Sequence, residues 1–383
     1  MNKLLAGVIV GILCLSIFSV FAPNAKASVF AVVATIPVGP YPTRLAVNPA
    51  TNMIYVNNQG RNTVQAISGA TNTVTATDVV GGNPIGVAVN QSANTVYVAV
   101  AVNNAVSVID AATNSVTATI PVAGTYPGSY PYDLAVDPLT DTLYVTYAGL
   151  AQVSVIDEAT NAVTYTISGG GIGPSDWGVA VNSATNTVYV TGGTGVNTVQ
   201  VIDGFTNTVT ANIVVGSTPT GIAVDPNTNT VYVANRGANN VSVIDGATNK
   251  VTATIRVGSN PTGIAVDPNW NTIYVANANS STVSVIDGGT NLVTQTIAVP
   301  TPVDVQSNPS THYVYVTNVQ PTPNAYYSNV SVLAPRAPTM PVGGYSFPTP
   351  TLARVCPYIG LISALAVAAV ATALCVKRVK RRK

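Results

Sequence analysis

Charge is scarce in this chain: Asp, Glu, Lys and Arg make up 8% of its 383 residues. Histidine occurs once, at His312, and the three cysteines, Cys14, Cys356 and Cys375, all lie near the ends. Each absence removes a class of function. One histidine excludes zinc, copper or haem sites built on several imidazoles, and leaves a serine–histidine triad nothing but His312. With no cysteine the long central region holds no disulfide, so packing must stabilise it. No phosphate-cradling G-x-x-x-x-G-K-[ST] loop or G-x-G-x-x-G fingerprint occurs. Between residues 29 and 335 five cations stand against all fourteen acids, a net charge of −9. Phosphate backbones repel such a surface, so nucleic acid is not expected as a partner.

What is present is apolar and turn-forming. Hydrophobic residues reach 47%, which argues against disorder despite the low charge. Valine, threonine, tyrosine and asparagine dominate, the composition of short strands joined by tight turns.

The ends read differently from the centre. Residues 1–27 carry Lys3, an apolar run from Leu4 to about Ala22, and Ala25-Lys26-Ala27. That order predicts a secretory signal peptide cleaved before Ser28. Residues 355–376 are uncharged, long enough for one membrane-spanning helix, and 377–383 hold six cations, a basic tail that stays cytoplasmic. Residues 336–354 are proline-rich and read as a stalk. The expected layout is a single-pass membrane protein with residues 28–335 outside the cell.

That body repeats itself. "NTVYVANRGANNVSVIDGATNKVTATI" at 229–255 returns at 271–297 as "NTIYVANANSSTVSVIDGGTNLVTQTI". The tyrosine of the phrase recurs at Tyr55, Tyr97, Tyr144, Tyr189, Tyr232, Tyr274 and Tyr315, at spacings of 42, 47, 45, 43, 42 and 41. Each copy holds four apolar-alternating runs. In the fifth they are Thr220–Val224, Thr230–Ala234, Asn240–Asp245 and Val251–Val257, separated by "DPNTN", "NRGAN" and "GATN". Four strands with tight turns form an antiparallel meander that cannot bury both faces alone. Seven arranged radially can, which predicts an all-β, seven-bladed β-propeller. The body begins out of phase, with "VFAVVATIPV" matching a fourth strand, and its last copy supplies only three. The N-terminal strand should therefore complete the seventh blade.

With "Y-V-[TA]-N" at Tyr232–Asn235, Tyr274–Asn277 and Tyr315–Asn318, and with "VSVIDG" and "PTGIAVDP", the body resembles the YVTN-repeat β-propellers of archaeal and bacterial surface-layer proteins. The resemblance implies a surface location and recognition more than chemistry. "YVNN" at Tyr55 and "YVTG" at Tyr189 depart from the motif.

The repeated residues read as scaffold. The tyrosines face small first-strand residues (Ala46, Ala88, Ala135, Ala180, Ala223, Ala265) and should pack as core. Asp110, Asp157, Asp203, Asp245 and Asp287 end "V-I-D" runs and should cap turns. Function is then expected where copies differ, on the face of the loops joining strand four to strand one and strand two to strand three. There the third copy adds Tyr126, Tyr130, Tyr132 and Asp133, the fourth Asp176 and Trp177, and the seventh a long loop with Tyr326 and Tyr327. The residue before "IAV" is glycine in four copies but Arg44, Asp133 and Asp304 in three, and Arg44 with Asp304 reads as a surface ion pair between neighbouring blades. Asn90, Asn240, Asn279 and Asn329 begin glycosylation sequons.

Exposed aromatics beside acids suit recognition of a cell-envelope protein or glycan. With no activated nucleophile and mostly small residues at the channel mouth, the sequence points to a surface recognition or adhesion module, not an enzyme, with no cofactor. The alternative is a propeller enzyme, a lactonase-like hydrolase or quinone-dependent dehydrogenase, with a metal or cofactor over the channel.

Overall fold

The computed structural model of the protein describes residues 29–122, 130–169, 178–192, 195–319 and 328–336. It divides into a unit of residues 1–338 and a second of 339–383, which lies outside the described residues. The first unit is a seven-bladed propeller of four-stranded antiparallel sheets.

Blade 5 shows how the repeat becomes a blade. Its strands are Pro219–Asp225, Thr230–Asn235, Asn240–Asp245 and Lys250–Arg256, each within a residue or two of expectation. Strand two is buried on both faces, because neighbouring blades sandwich it, whereas strand four exposes most of its residues at the rim. The asparagines follow from the turns. Positions 52, 94, 186, 229 and 271 in the first turn, and 72, 114, 161, 207, 249 and 291 in the third, are asparagines at φ between 46° and 58°. That left-handed region disfavours most side chains but tolerates asparagine. The "V-I-D" aspartates cap those third turns: Asp110, Asp203, Asp245 and Asp287 each accept the backbone N–H two residues on, and Asp157 that of Thr160.

The seven tyrosines are 0–2% exposed. Six pair in register with the expected alanines and the seventh, Tyr315, with Gln306. Each ring fills the space between adjacent sheets; at about 25 cal/mol per Å² such burial contributes several kcal/mol apiece.

Closure is as the out-of-phase start requires. Strand Val29–Pro37 pairs antiparallel with Asn329–Arg336, Ile36 opposite Val330. Phe30 is locked from blade 6: Gln295 exchanges two hydrogen bonds with its backbone, at 2.8 and 2.6 Å, and Tyr274 meets its ring edge-on at 5.3 Å. At the same seam His312 takes the left-handed turn position (φ 59°), where its Nδ1 lies 2.7 Å from buried Asp267 and its ring stacks on Trp270.

The expected signal peptide, membrane helix and basic tail fall outside the described residues, as does the stalk apart from Arg336, which ends the last strand opposite Val29. Among the described residues no helix is long and apolar enough to cross a membrane.

Candidate functional site at the channel mouth

The first strands are the innermost of each blade, and the residue before the "IAV" run takes the same register in all seven. Four of the seven are glycine for steric reasons. A Cβ on Gly221 would stand 2.3 Å from the Thr262 carbonyl, and one on Gly178 2.4 Å from that of Thr220. The other three positions deliver Arg44, Asp133 and Asp304.

These three do not form the expected surface pair. Arg44 of blade 1 reaches Asp133 of blade 3 at 3.3 Å, rather than standing as an isolated pair with Asp304 of neighbouring blade 7. The group is also buried: Asp133 is 6% and Asp304 4% exposed. The reason is geometric. Residues at the same register on the innermost strands converge on the axis, so blades that are not neighbours meet there.

Each carboxylate also satisfies backbone donors at the inner sheet edges. Asp304 accepts the N–H groups of Leu45, at 3.1 Å, and Val305. Asp133 accepts those of Val179, at 3.2 Å, and Leu134. Burial raises both carboxyls above the ordinary carboxylate range. For Asp304 the nearby Asp133 charge adds to that, Arg44 and the backbone donors offset only part, and the result is about 6. Burial opposes the charge on Arg44, but Asp133 and Asp304 together hold it firmly protonated. The Tyr132 ring lies 5.6 Å from the guanidinium carbon, in cation–π range, and its hydroxyl hydrogen-bonds to the same group.

Above the group opens a cavity of about 320 Å³ on the expected loop face. Arg44, Asp304, Tyr130 and Tyr132 line it, joined by Arg236, Gln59, Asn83 and Thr262. Arg236 is held by its Nε, which donates to Asn260 Oδ1 at 2.6 Å. Sequence reasoning passed over Arg236, although it is one of only five cations in the body and sits in a strand-two-to-three loop, which was signal enough. Asp133 lines not this cavity but a smaller one of about 70 Å³, which it shares with Arg44 and Asp304. Tyr126, Asp176 and Trp177, and the loop with Tyr326 and Tyr327, lie outside the described residues. Of the expected aromatic patch Tyr130 and Tyr132 are placed, and they line the cavity.

The Y-V-x-N asparagine also has a definite task. Asn235 Nδ2 donates to Asn240 Oδ1 at 2.8 Å and Ser242 Oγ at 2.9 Å, tying strand two to strand three. Asn277 bridges Thr282 and Ser284 in the same way, and Asn318 contacts Asn329 and Ser331.

A family model described as "Lactonase, 7-bladed beta-propeller" matches residues 179–307. This stretch runs from blade 4 into blade 7 and includes Asp304. No curated protein matches the chain. Among solved structures, hydrazine synthase from Kuenenia stuttgartiensis superimposes with a TM-score of 0.68 at 20% identity, over 83% of this chain and 99% of that one. At that identity the likeness shows the fold alone. The expectation that the chain is not an enzyme is corrected by the lactonase match. It rested on small residues at most mouth positions and on the lack of an activated nucleophile. Counting positions blade by blade hid what the axis does, which is to gather the three exceptions into one group.

Proposed function

We propose that the propeller is a hydrolase that opens a small cyclic ester, with the reaction at the floor of the 320 Å³ cavity. The observation that carries this reading is a buried carboxyl, Asp304, which lines the cavity beside the guanidinium of Arg44 and lies within the stretch 179–307 that matches a lactonase propeller model. A base poised near 6 is largely ionised at neutral pH yet basic enough to accept a proton.

In this mechanism Asp304 takes a proton from water as the water oxygen bonds to the ester carbonyl carbon. The oxyanion that develops is met by Arg44. Collapse breaks the bond to the ring oxygen, which receives the proton held on Asp304, and the product is one open hydroxy acid. Asp133 is a positioning residue: it anchors Arg44 and touches no substrate. The cavity lies in the range of small-molecule sites, and its hydroxyl and amide groups suit a polar ring.

The ends of the sequence support placing this activity outside the cell, on a membrane-anchored propeller of the surface-layer type, with a cell-envelope glycan or protein beside it. Proteolysis of intact cells tests that placement by whether the body is shed. Hydrolysis is tested by following acid release from a panel of five- and six-membered lactones with the purified chain. Turnover that falls about 10² to 10⁴-fold in Asp304→Asn is expected; equal turnover by the variant sinks the assignment.

A further inference from the structure

Four N-x-S sequons occur in the propeller, and the fold treats them differently. Asn90 is fully buried: its Oδ1 accepts the N–H groups of Ser92 and Ala93, and its Nδ2 donates to Glu158 at 2.6 Å. Asn240 and Asn329 begin third strands. In an extended strand residues i and i+2 share a face, so asparagine and serine of the sequon point the same way, into the bridge made by Asn235 or Asn318. Ser242 and Ser331 are each 3% exposed. These two sequons are the hydrogen-bonding seats of the Y-V-x-N asparagine, a structural motif that happens to spell an acceptor.

Asn279 differs. It and Ser281 are exposed in the hairpin that joins strands two and three of blade 6. Its N–H donates to Ser259 and its Oδ1 accepts from Asn260 Nδ2 at 3.0 Å, while Asn260 in turn holds Arg236. The amide oxygen is thus pinned and Nδ2 makes no hydrogen bond among the described residues. From these facts we infer that Asn279 is the N-glycosylation site of the folded propeller, on the face that carries the cavity. The donor class is a polyprenyl-diphosphate-linked oligosaccharide. Nδ2 bonds to the anomeric carbon, the bond from that carbon to the diphosphate oxygen breaks, and Nδ2 gives up one proton to a base of the transferase. In the cell this rests on the extracellular placement proposed above.

The test avoids that dependence. Purified full-length chain is incubated with the lipid-linked donor and an oligosaccharyltransferase that requires only N-x-S/T, and peptides are mapped by mass. Sugar on Asn279 alone, abolished by Ser281→Ala, is the expected result. In urea-unfolded chain the other sequons should become acceptors. An unmodified Asn279, transfer to Asn90, Asn240 or Asn329 in the folded chain, or unchanged selectivity after unfolding each overturns the inference. Shedding of the body from intact cells reports on placement separately.

Discussion

Arg44 on the innermost strand of blade 1 meets Asp133 of blade 3 at 3.3 Å across the channel, two blades away. This contact ties non-neighbouring blades together where no backbone hydrogen bond can. It also leaves Asp304 beside a cation whose charge is already shared, which is why burial prevails and its carboxyl sits near 6.

Breaking that group from one side should be costly. Arg44→Met leaves two buried carboxyls without their cation, and losing one partner of a buried ion pair costs about 3–5 kcal/mol. The double variant Arg44→Met, Asp133→Leu removes one of the two unpaired carboxyls and should recover part of the loss. Denaturant unfolding of both reads this directly. A single variant as stable as the parent would show that the pair carries no stability.

Stability and activity should run in opposite directions with pH. Asp304 is raised in the folded state, so it favours folding most when both states bind the proton. That contribution is present below about pH 4 and is lost as pH rises through about 6. Two units correspond to about 3 kcal/mol. Hydrolysis needs the ionised form, so turnover should climb across the same window. Asp304→Asn should flatten both profiles, and a melting-temperature series from pH 4 to 8 with parallel rates checks the pairing.

The tyrosine hydroxyls divide into two kinds. Those of Tyr55, Tyr189, Tyr274 and Tyr315 are buried with no hydrogen-bond partner among the described residues. Tyr97 instead bonds Glu158. Removing an unsatisfied buried group is neutral or stabilising, while orphaning its partner costs about 1–3 kcal/mol. Tyr274→Phe should therefore match or exceed the parent in thermal melting, and Tyr97→Phe should fall below it. Tyr274→Ala should lose about 3–5 kcal/mol to the cavity.

Closure can be weakened at one side chain. Phe30 is 3% exposed, and its ring meets Tyr274 and Trp270. Phe30→Ala should cost about 3–5 kcal/mol, and deleting residues 29–37 should abolish cooperative unfolding by opening the edge of blade 7. Hydrogen exchange should rise first along residues 329–336. Uniform protection there after the deletion would show that the ring does not depend on this strand.

Much of this architecture was determined by the sequence alone, because it depends on local periodicity. A repeat of about 42 residues with four runs and asparagine turns dictates the blade, and a first strand out of phase dictates the closure. The tyrosine–alanine pairs and the turn-capping aspartates are likewise set by register within one repeat. The sequons of Asn240 and Asn329 read as acceptors because spelling carries no burial. The site was decided only by the tertiary structure. Arg44, Asp133 and Asp304 occupy one register position in three different copies, up to 260 residues apart, and nothing in the linear order says which will touch. The seven-fold ring brings those positions to a common axis, and burial there turns an expected surface ion pair into a buried group with a raised carboxyl.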